Sequence, residues 1–247
     1  MNRRSLSILA AAGVFAAATA LVAWPRVSLW RAKRQVIKDF DAMQADTRAG
    51  LNAVLSPGVV DIPPVNCNSE RVSCVSGGYR FSLPDAEYVY FGGPERSFEN
   101  CKLTVGYLRV HSLTPEAPEK SAAGKTITDG VRDYFKSTEP YEILVDAFSA
   151  KPADIRQQGS FSALQKHVLL LLLKQELQPP GAERLWKRFE ANGRKGMLAG
   201  DVACRWVKVQ LYLPESRQFG TLAIFPRPGA TMDDVYHCLG ELHVEQQ

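Results

Sequence analysis

The stretch Leu185–Phe225, LWKRFEANGRKGMLAGDVACRWVKVQLYLPESRQFGTLAIF, decides the fold. At its centre Val207, Val209, Leu211 and Leu213 alternate with Trp206, Lys208, Gln210 and Tyr212. An apolar period of two is that of a strand with one face buried. Upstream, Leu185–Ala191 leads into Asn192-Gly193, the dipeptide that supplies positive φ for a tight hairpin. Met197–Ala199 begins the return and Gly200-Asp201 interrupts it. Pro214–Gly220 turns the chain once more, and Thr221–Phe225 pairs back. The stretch reads as an antiparallel meander.

Towards the C-terminus, Thr231 with Asp234 caps a last helix. Its stripe of Met232, Val235, Cys238, Leu239 and Leu242 predicts that Cys238 faces a core. Towards the N-terminus, Ser162–Leu177 is the strongest helix, with Ser162 and Gln165 as a capping box and Pro179-Pro180 as the stop. Val168–Leu173 is apolar all round, so the helix is expected to lie buried between a sheet and another layer. Six apolar residues are too few to cross a bilayer. Tyr141–Phe148, led in by Pro140, reads as a strand, and Thr114–Lys125 as an exposed excursion.

Tyr79–Leu83, Tyr88–Phe91 and Lys102–Val110 also read as strands, with Leu103, Val105 and Tyr107 on one face. Residues 30–55 carry a broken apolar stripe at helical spacing, closed by Pro57. The expected fold is therefore α+β: an antiparallel sheet flanked by helices, a sandwich, preceded by an N-terminal membrane helix or signal peptide. The expected organisation is a signal anchor or signal peptide over 1–25, a juxtamembrane helix over 26–57 and a single globular domain over 58–247.

The apolar run Leu6–Trp24 contains no charge and is preceded by Arg3 and Arg4. It is near the roughly 20 residues that cross a bilayer. Ala18-Thr19-Ala20 also reads as a cleavage site, which would release a soluble periplasmic protein. Trp24, Arg26, Trp30 and Arg31 are candidate membrane-interface residues. Five basic residues follow the run, which the positive-inside rule reads as a cytoplasmic C-terminus, whereas the leading Arg pair reads as export. Five cysteines, Cys67, Cys74, Cys101, Cys204 and Cys238, are candidates for disulfides in an oxidising compartment. Cys67 with Cys74 and Cys204 with Cys238 are two such pairings, and reduced core thiols are the alternative. The expectation is a single-pass inner-membrane protein with its globular part periplasmic.

Charge narrows the class of partner. The chain has 30 Lys and Arg against 26 Asp and Glu. Residues 1–38 hold seven of those basic residues and no acid, leaving 23 against 26 in the remainder. The basic surplus thus belongs to the membrane segment and not to a nucleic-acid-binding domain.

Gly124-Lys125-Thr126 lacks the earlier glycine of a phosphate loop, since position 119 is Glu119. His111, His167, His237 and His243 form no zinc motif, although His237 and Glu241 are one helical turn apart. No catalytic residue, metal or cofactor is expected.

Gly78-Tyr79-Arg80-Phe81-Ser82-Leu83-Pro84 opens the globular part, and a meander leads into the capped helix Thr231–His243. In that order of elements the chain resembles the PsbP-like α/β/α sandwich of small extracytoplasmic proteins. Cys74–Pro84, a Cys followed by a Gly- and aromatic-containing strand ending Leu-Pro, is similar to immunity proteins of type VI secretion lipase effectors. The resemblance implies a binding scaffold and carries over no catalytic residue. The expected function is a membrane-tethered extracytoplasmic protein-binding module without catalysis, with Tyr88, Tyr90, Phe91 and Phe98 as candidate partner surface. A lipid- or small-ligand-binding protein with a cavity lined by the Leu-rich helix, and an enzyme of unrecognised kind, are the alternatives.

Overall fold

Asn192 and Gly193 take φ of 51° and 71°, the left-handed pair a two-residue hairpin needs. They join Leu185–Ala191 to Arg194–Asp201 with Ala191 opposite Arg194. The computed structural model describes residues 25–43, 48, 50–65, 71–84, 87–90, 96–99, 103–112, 128–177, 185–203 and 205–247. Its strands are β1 (Val54–Ile62), β2 (Arg71–Ser76), β3 (Tyr79–Pro84), β4 (Glu87–Tyr90), β5 (Arg96–Glu99) and β6 (Leu103–His111). After a helical stretch come β7 (Leu185–Ala191), β8 (Arg194–Asp201), β9 (Trp206–Leu213), β10 (Gln218–Pro226) and β11 (His243–Gln246).

Two compact units divide the chain. Ala53–Leu113 and Pro179–Gln247 form the β unit, while Thr114–Gln178 belongs with Met1–Asn52 in a helical unit.

In the β unit, an eight-stranded sheet runs β1-β7-β8-β9-β10-β6-β5-β4 and a three-stranded one runs β11-β3-β2. The expected meander is present as β7 to β10, and β8 continues through Gly200-Asp201. The α+β class holds, but the large sheet is mixed, because β1 pairs parallel to β7. This corrects the helix expected over residues 30–55: Val54–Ile62 is an edge strand. An edge tolerates Pro57, whose missing N–H removes no ladder bond there, and the register shifts between Leu55 and Val59.

The core of the unit draws Phe81 and Cys74 from the small sheet and Val105, Leu198 and Val209 from the large one. The last helix, Met232–Glu241, adds Val235, Cys238 and Leu239. That helix carries the expected cap: Thr231 N donates to Asp234 Oδ2 at 2.8 Å, and Asp234 N donates to Thr231 Oγ1 at 3.3 Å. Two strand expectations need amending. β9 is buried on both faces over its second half, Gln210 and Tyr212 included. In β6 the ladder to β10 steps from Arg109 to Gly106 across Thr221 and Ala223. This bulge breaks the alternation, so Leu108 joins Leu103 and Val105 in the core.

The helical unit holds α1 (Pro25–Asp41), α2 (Asp129–Ser137), α3 (Pro140–Ser149), a 3-10 turn (Pro152–Gln157) and α4 (Phe161–Leu177); the last helix of the chain, Met232–Glu241, is α5. Tyr141–Phe148, expected as a strand, lies in α3. Pro140 starts it with φ preset for a helix, and the buried Tyr141, Leu144, Ala147 and Phe148 follow helical spacing. The Leu-rich α4 is buried as expected, and within its unit it packs on α3, α2 and the 3-10 turn. Its start is also corrected. Ser160 Oγ accepts from Ala163 N at 3.1 Å, whereas Gln165 Oε1 accepts from Thr128 N and Oγ1 at 3.3 and 3.0 Å.

Lys174, 0% exposed on α4, donates to Phe148 O at 3.3 Å and Ala150 O at 2.9 Å. It donates to carbonyls at the C-terminus of α3, where a cation is favoured. Among the described residues no helix is long and apolar enough to cross a membrane. The run Leu6–Trp24 lies outside them.

Candidate functional site

On α1, Ser28, Ala32, Val36 and Phe40 are buried at four-residue intervals, which turns the intervening residues outwards. That outer face carries Val27 and Trp30, 44% and 55% exposed, together with Arg31, Arg34 and Lys38. The Arg34 guanidinium stands 4.8 Å over the Trp30 ring, a cation–π arrangement that holds the indole on the surface. An open groove of about 1150 Å³ runs along this face, with Arg156 of the 3-10 turn on its edge. Lys33 Nζ donates to Arg156 O at 3.0 Å and fixes that turn to the helix. The face is apolar at its N-terminal end and cationic beyond it, with Asp41 its exposed acid. Of the expected interface residues, Trp30 and Arg31 lie here. Trp24 falls outside the described residues, as does the side chain of Arg26.

A second concavity, of about 250 Å³, lies within the β unit. Its floor is Phe189, Leu211, Leu239 and Leu242, and its rim is Asn192, Arg194 and His243. Gly196 lets the Phe189 ring lie flat on β8, because a Cβ there would strike the ring and stand 2.8 Å from Gln210 O. The rim is rigid. Asn192 Nδ2 donates to Gly240 O and Leu242 O, both at 2.9 Å. Arg194 donates to both oxygens of Glu215, at 3.0 and 2.9 Å, and to Val244 O at 3.1 Å. The guanidinium holds the Glu215 carboxyl below its usual range. A sealed dry void of this size would cost about 6 kcal/mol, comparable with the stability of a whole domain. The polar rim instead opens this one to water. Neither concavity is lined by Leu169–Leu173.

A polar chain crosses the large sheet. His111 Nε2 meets Thr221 Oγ1 at 2.6 Å, and Thr221 Oγ1 donates to the fully buried Gln210 Oε1 at 2.7 Å. Thr221 Oγ1 on β10 thus bridges His111 on β6 and Gln210 on β9. The arrangement ties three neighbouring strands together. His167 Nε2 is bonded to Lys151 O at 2.9 Å, and His237 Nε2 is 3.4 Å from Glu241 Oε1. No group of three potential metal ligands occurs among the described residues.

Cys74 and Cys238 are buried and hold no disulfide with each other. Burial pushes the Cys238 thiol up to about 12. Cys67, Cys101 and Cys204 lie outside the described residues. The candidate surface is placed only by its backbone: the ladder sets Tyr88 opposite Phe98, Tyr90 opposite Arg96 and Phe98 opposite Val105, and Phe91 lies outside the described residues.

Of the α1 face, Trp30 and Arg31 were candidates from the sequence, while its grouping with Val27, Arg34 and Lys38 came from the helix. The cleft was not, because its floor and rim come from three separate segments, residues 189–194, Leu211 and residues 239–244, and Asn192 signalled only a turn. Comparisons with protein-family models, with curated proteins and with solved structures give no match.

Proposed function

We propose that this chain is a membrane-tethered, extracytoplasmic protein-binding module that acts by occlusion or scaffolding and not by chemistry. The binding role follows from the resemblance to binding scaffolds, and the observation that carries the tether is α1. It begins at Pro25, directly after the apolar run Leu6–Trp24, and turns Val27, Trp30, Arg31, Arg34 and Lys38 outwards from a buried stripe. An apolar anchor followed by aromatic and basic side chains is the order of environments met on leaving a bilayer: hydrocarbon, interface, phosphate. Each basic residue near an anionic surface contributes about 1 kcal/mol, so Arg31, Arg34 and Lys38 together add about 3 kcal/mol to the anchor. The Arg3-Arg4 pair before the run supports export. The buried, protonated Cys238 thiol is compatible with an oxidising compartment, because the thiolate is the reactive form.

The test is expression of the full chain in a bacterial host. The reading predicts that the protein stays with membranes through alkaline carbonate extraction and is digested by protease added to spheroplasts. Release by carbonate would remove the tether. Digestion only after lysis would place the folded units in the cytoplasm and overturn the orientation.

A further inference from the structure

We propose that the outer edge of β2 is a self-association surface, on which β2 of a second copy of this chain pairs antiparallel about a two-fold axis at Ser73. The inference rests on the tether reading, which confines the copies to one membrane.

The ladders fix which backbone groups are open. Successive residues of an antiparallel strand direct their N–H and C=O to opposite sides. Gln247 N donates to Gly78 O at 2.9 Å, its direct opposite in the register that sets Glu245 against Arg80 and His243 against Ser82. Arg80 and Ser82 are therefore bonded to β11, and Tyr79, Phe81 and Leu83 to Ser76, Cys74 and Val72 of β2. The Gly77-Gly78 turn, with φ of 56° and 78°, closes the hairpin at Ser76 and Tyr79 in the same phase. On β2 this leaves Arg71, Ser73 and Val75, whose N–H and C=O face away from β3. Among the described residues no strand lies beyond them.

Proteins guard sheet edges with short strands, prolines, bulges and charges, and the other edges here are so guarded. β1 carries Pro57 and a register shift. β4 is four residues long and begins with Glu87. On β11 the outward Val244 O accepts from Arg194 at 3.1 Å. β2 has none of these devices: its six residues pair with β3 without a shift and include no proline, acid or lysine. Its one charge, Arg71, is engaged with α5, donating to Glu241 O at 3.0 Å.

The spacing selects the occupant. Open residues at every second position are their own complement: about Ser73, Arg71 meets Val75 of the second copy, Ser73 meets Ser73, and Val75 meets Arg71. Every open N–H then finds an open C=O, as a two-fold interface requires. An axis at Val72 or Cys74 forms one bonded pair fewer. Ser73 and Val75 are exposed, so no buried side chain has to move as the second strand arrives. Strand addition draws its affinity from backbone bonds, and a shared membrane raises the effective concentration of the copies.

The test reconstitutes full chains bearing a donor or an acceptor fluorescent protein at the C-terminus together in vesicles. Energy transfer is read against an unrelated single-pass anchor carrying the acceptor, and transfer above that bystander level is expected. Ser73→Pro removes only the outward N–H, which an edge strand tolerates, and should weaken pairing about tenfold. Ser73→Lys in both copies, or Ser73→Asp in both, sets like charges opposite each other and should weaken it about threefold. Mixing Ser73→Lys with Ser73→Asp should restore it. Bystander transfer from a wild type that resists carbonate extraction would overturn the pairing and leave the tether standing. Release by carbonate would remove the tether and the pairing with it. Transfer unchanged in Ser73→Pro would also overturn the proposal. Should that variant melt below the wild type, the charge exchange decides, and equal transfer from matched and mixed pairs would overturn it.

Discussion

Replacing Lys174 by Met tests how the helical unit is held together. The amine is 0% exposed, and burial lowers its pKa from 10.5 to about 8, with Lys151 adding to the shift and Asp154 opposing it. A base with a depressed folded pKa is disfavoured in its charged form. Between pH 8 and pH 10.5 the unfolded chain therefore binds more protons than the folded one, and stability rises with pH across that window. Linkage with those two values gives a gain of about 2.5 kcal/mol between pH 7 and pH 10, with little change below pH 7. Lys174→Met removes this term. It also removes the two hydrogen bonds to Phe148 O and Ala150 O, at about 1–3 kcal/mol each. At pH 7 the removed penalty offsets the lost contacts, whereas by pH 10 the wild type has shed most of that penalty and the lost contacts remain, so the variant falls progressively behind. The assay is urea denaturation of both proteins at pH 7, 8, 9 and 10, with the difference between them taken so that other alkaline titrations cancel. The account predicts a difference that widens by about 2 to 3 kcal/mol. A difference constant with pH would mean that Lys174 reaches solvent or is already neutral, and would refute the reasoning.

Three further outcomes follow from the β unit. Gly196→Ala drives a methyl into the Phe189 ring and to within 2.8 Å of Gln210 O; it should cost about 2 to 3 kcal/mol in urea denaturation, and a cost under 0.5 kcal/mol would contradict the packing. Thr231→Ala removes one partner of the box at the start of α5 and should cost about 1 kcal/mol, measured the same way. Cys238 should resist iodoacetamide at pH 8 in the native chain and react once unfolded, since its thiol is buried and titrates at about 12; peptide mass mapping of native and urea-treated samples reads this, and rapid native alkylation would contradict it.

The parts of the fold legible in the sequence are those in which neighbours along the chain settle the structure. β7 to β10 follow from alternation and from Asn192-Gly193, and α5 from the Thr231–Asp234 cap and its apolar stripe. The parts that were not legible depend on distant partners. Tyr141–Phe148 is rich in residues that favour strands, yet its burial against α4 selects the helical spacing that the same residues also satisfy. Val54–Ile62 becomes a strand because β7, more than a hundred residues away, offers it a parallel edge. Ser162 looked like a cap, but Ser160 performs that role and frees Gln165 to hold Thr128. On α1, Trp30 and Arg31 were picked out by their place after the apolar run, whereas the full face needed the helix bounds that bury Ser28, Ala32, Val36 and Phe40. The cleft needed Phe189, Arg194, Leu239 and Glu215 to be brought together by the β7–β8 hairpin, the β9–β10 turn and α5.

The central claim is that α1 lies at the headgroup level of the bilayer with its basic face against phosphate. A photoreactive benzoylphenylalanine in place of Trp30, in the full chain in phosphatidylglycerol nanodiscs, tests it most directly through the mass of the crosslinked product. The account predicts lipid adducts at position 30, reduced when Arg31, Arg34 and Lys38 are all changed to Glu, and none from the same group placed at the exposed Asp133 of α2. Adducts at position 133 equal to those at position 30, or no lipid adduct at position 30, would contradict it.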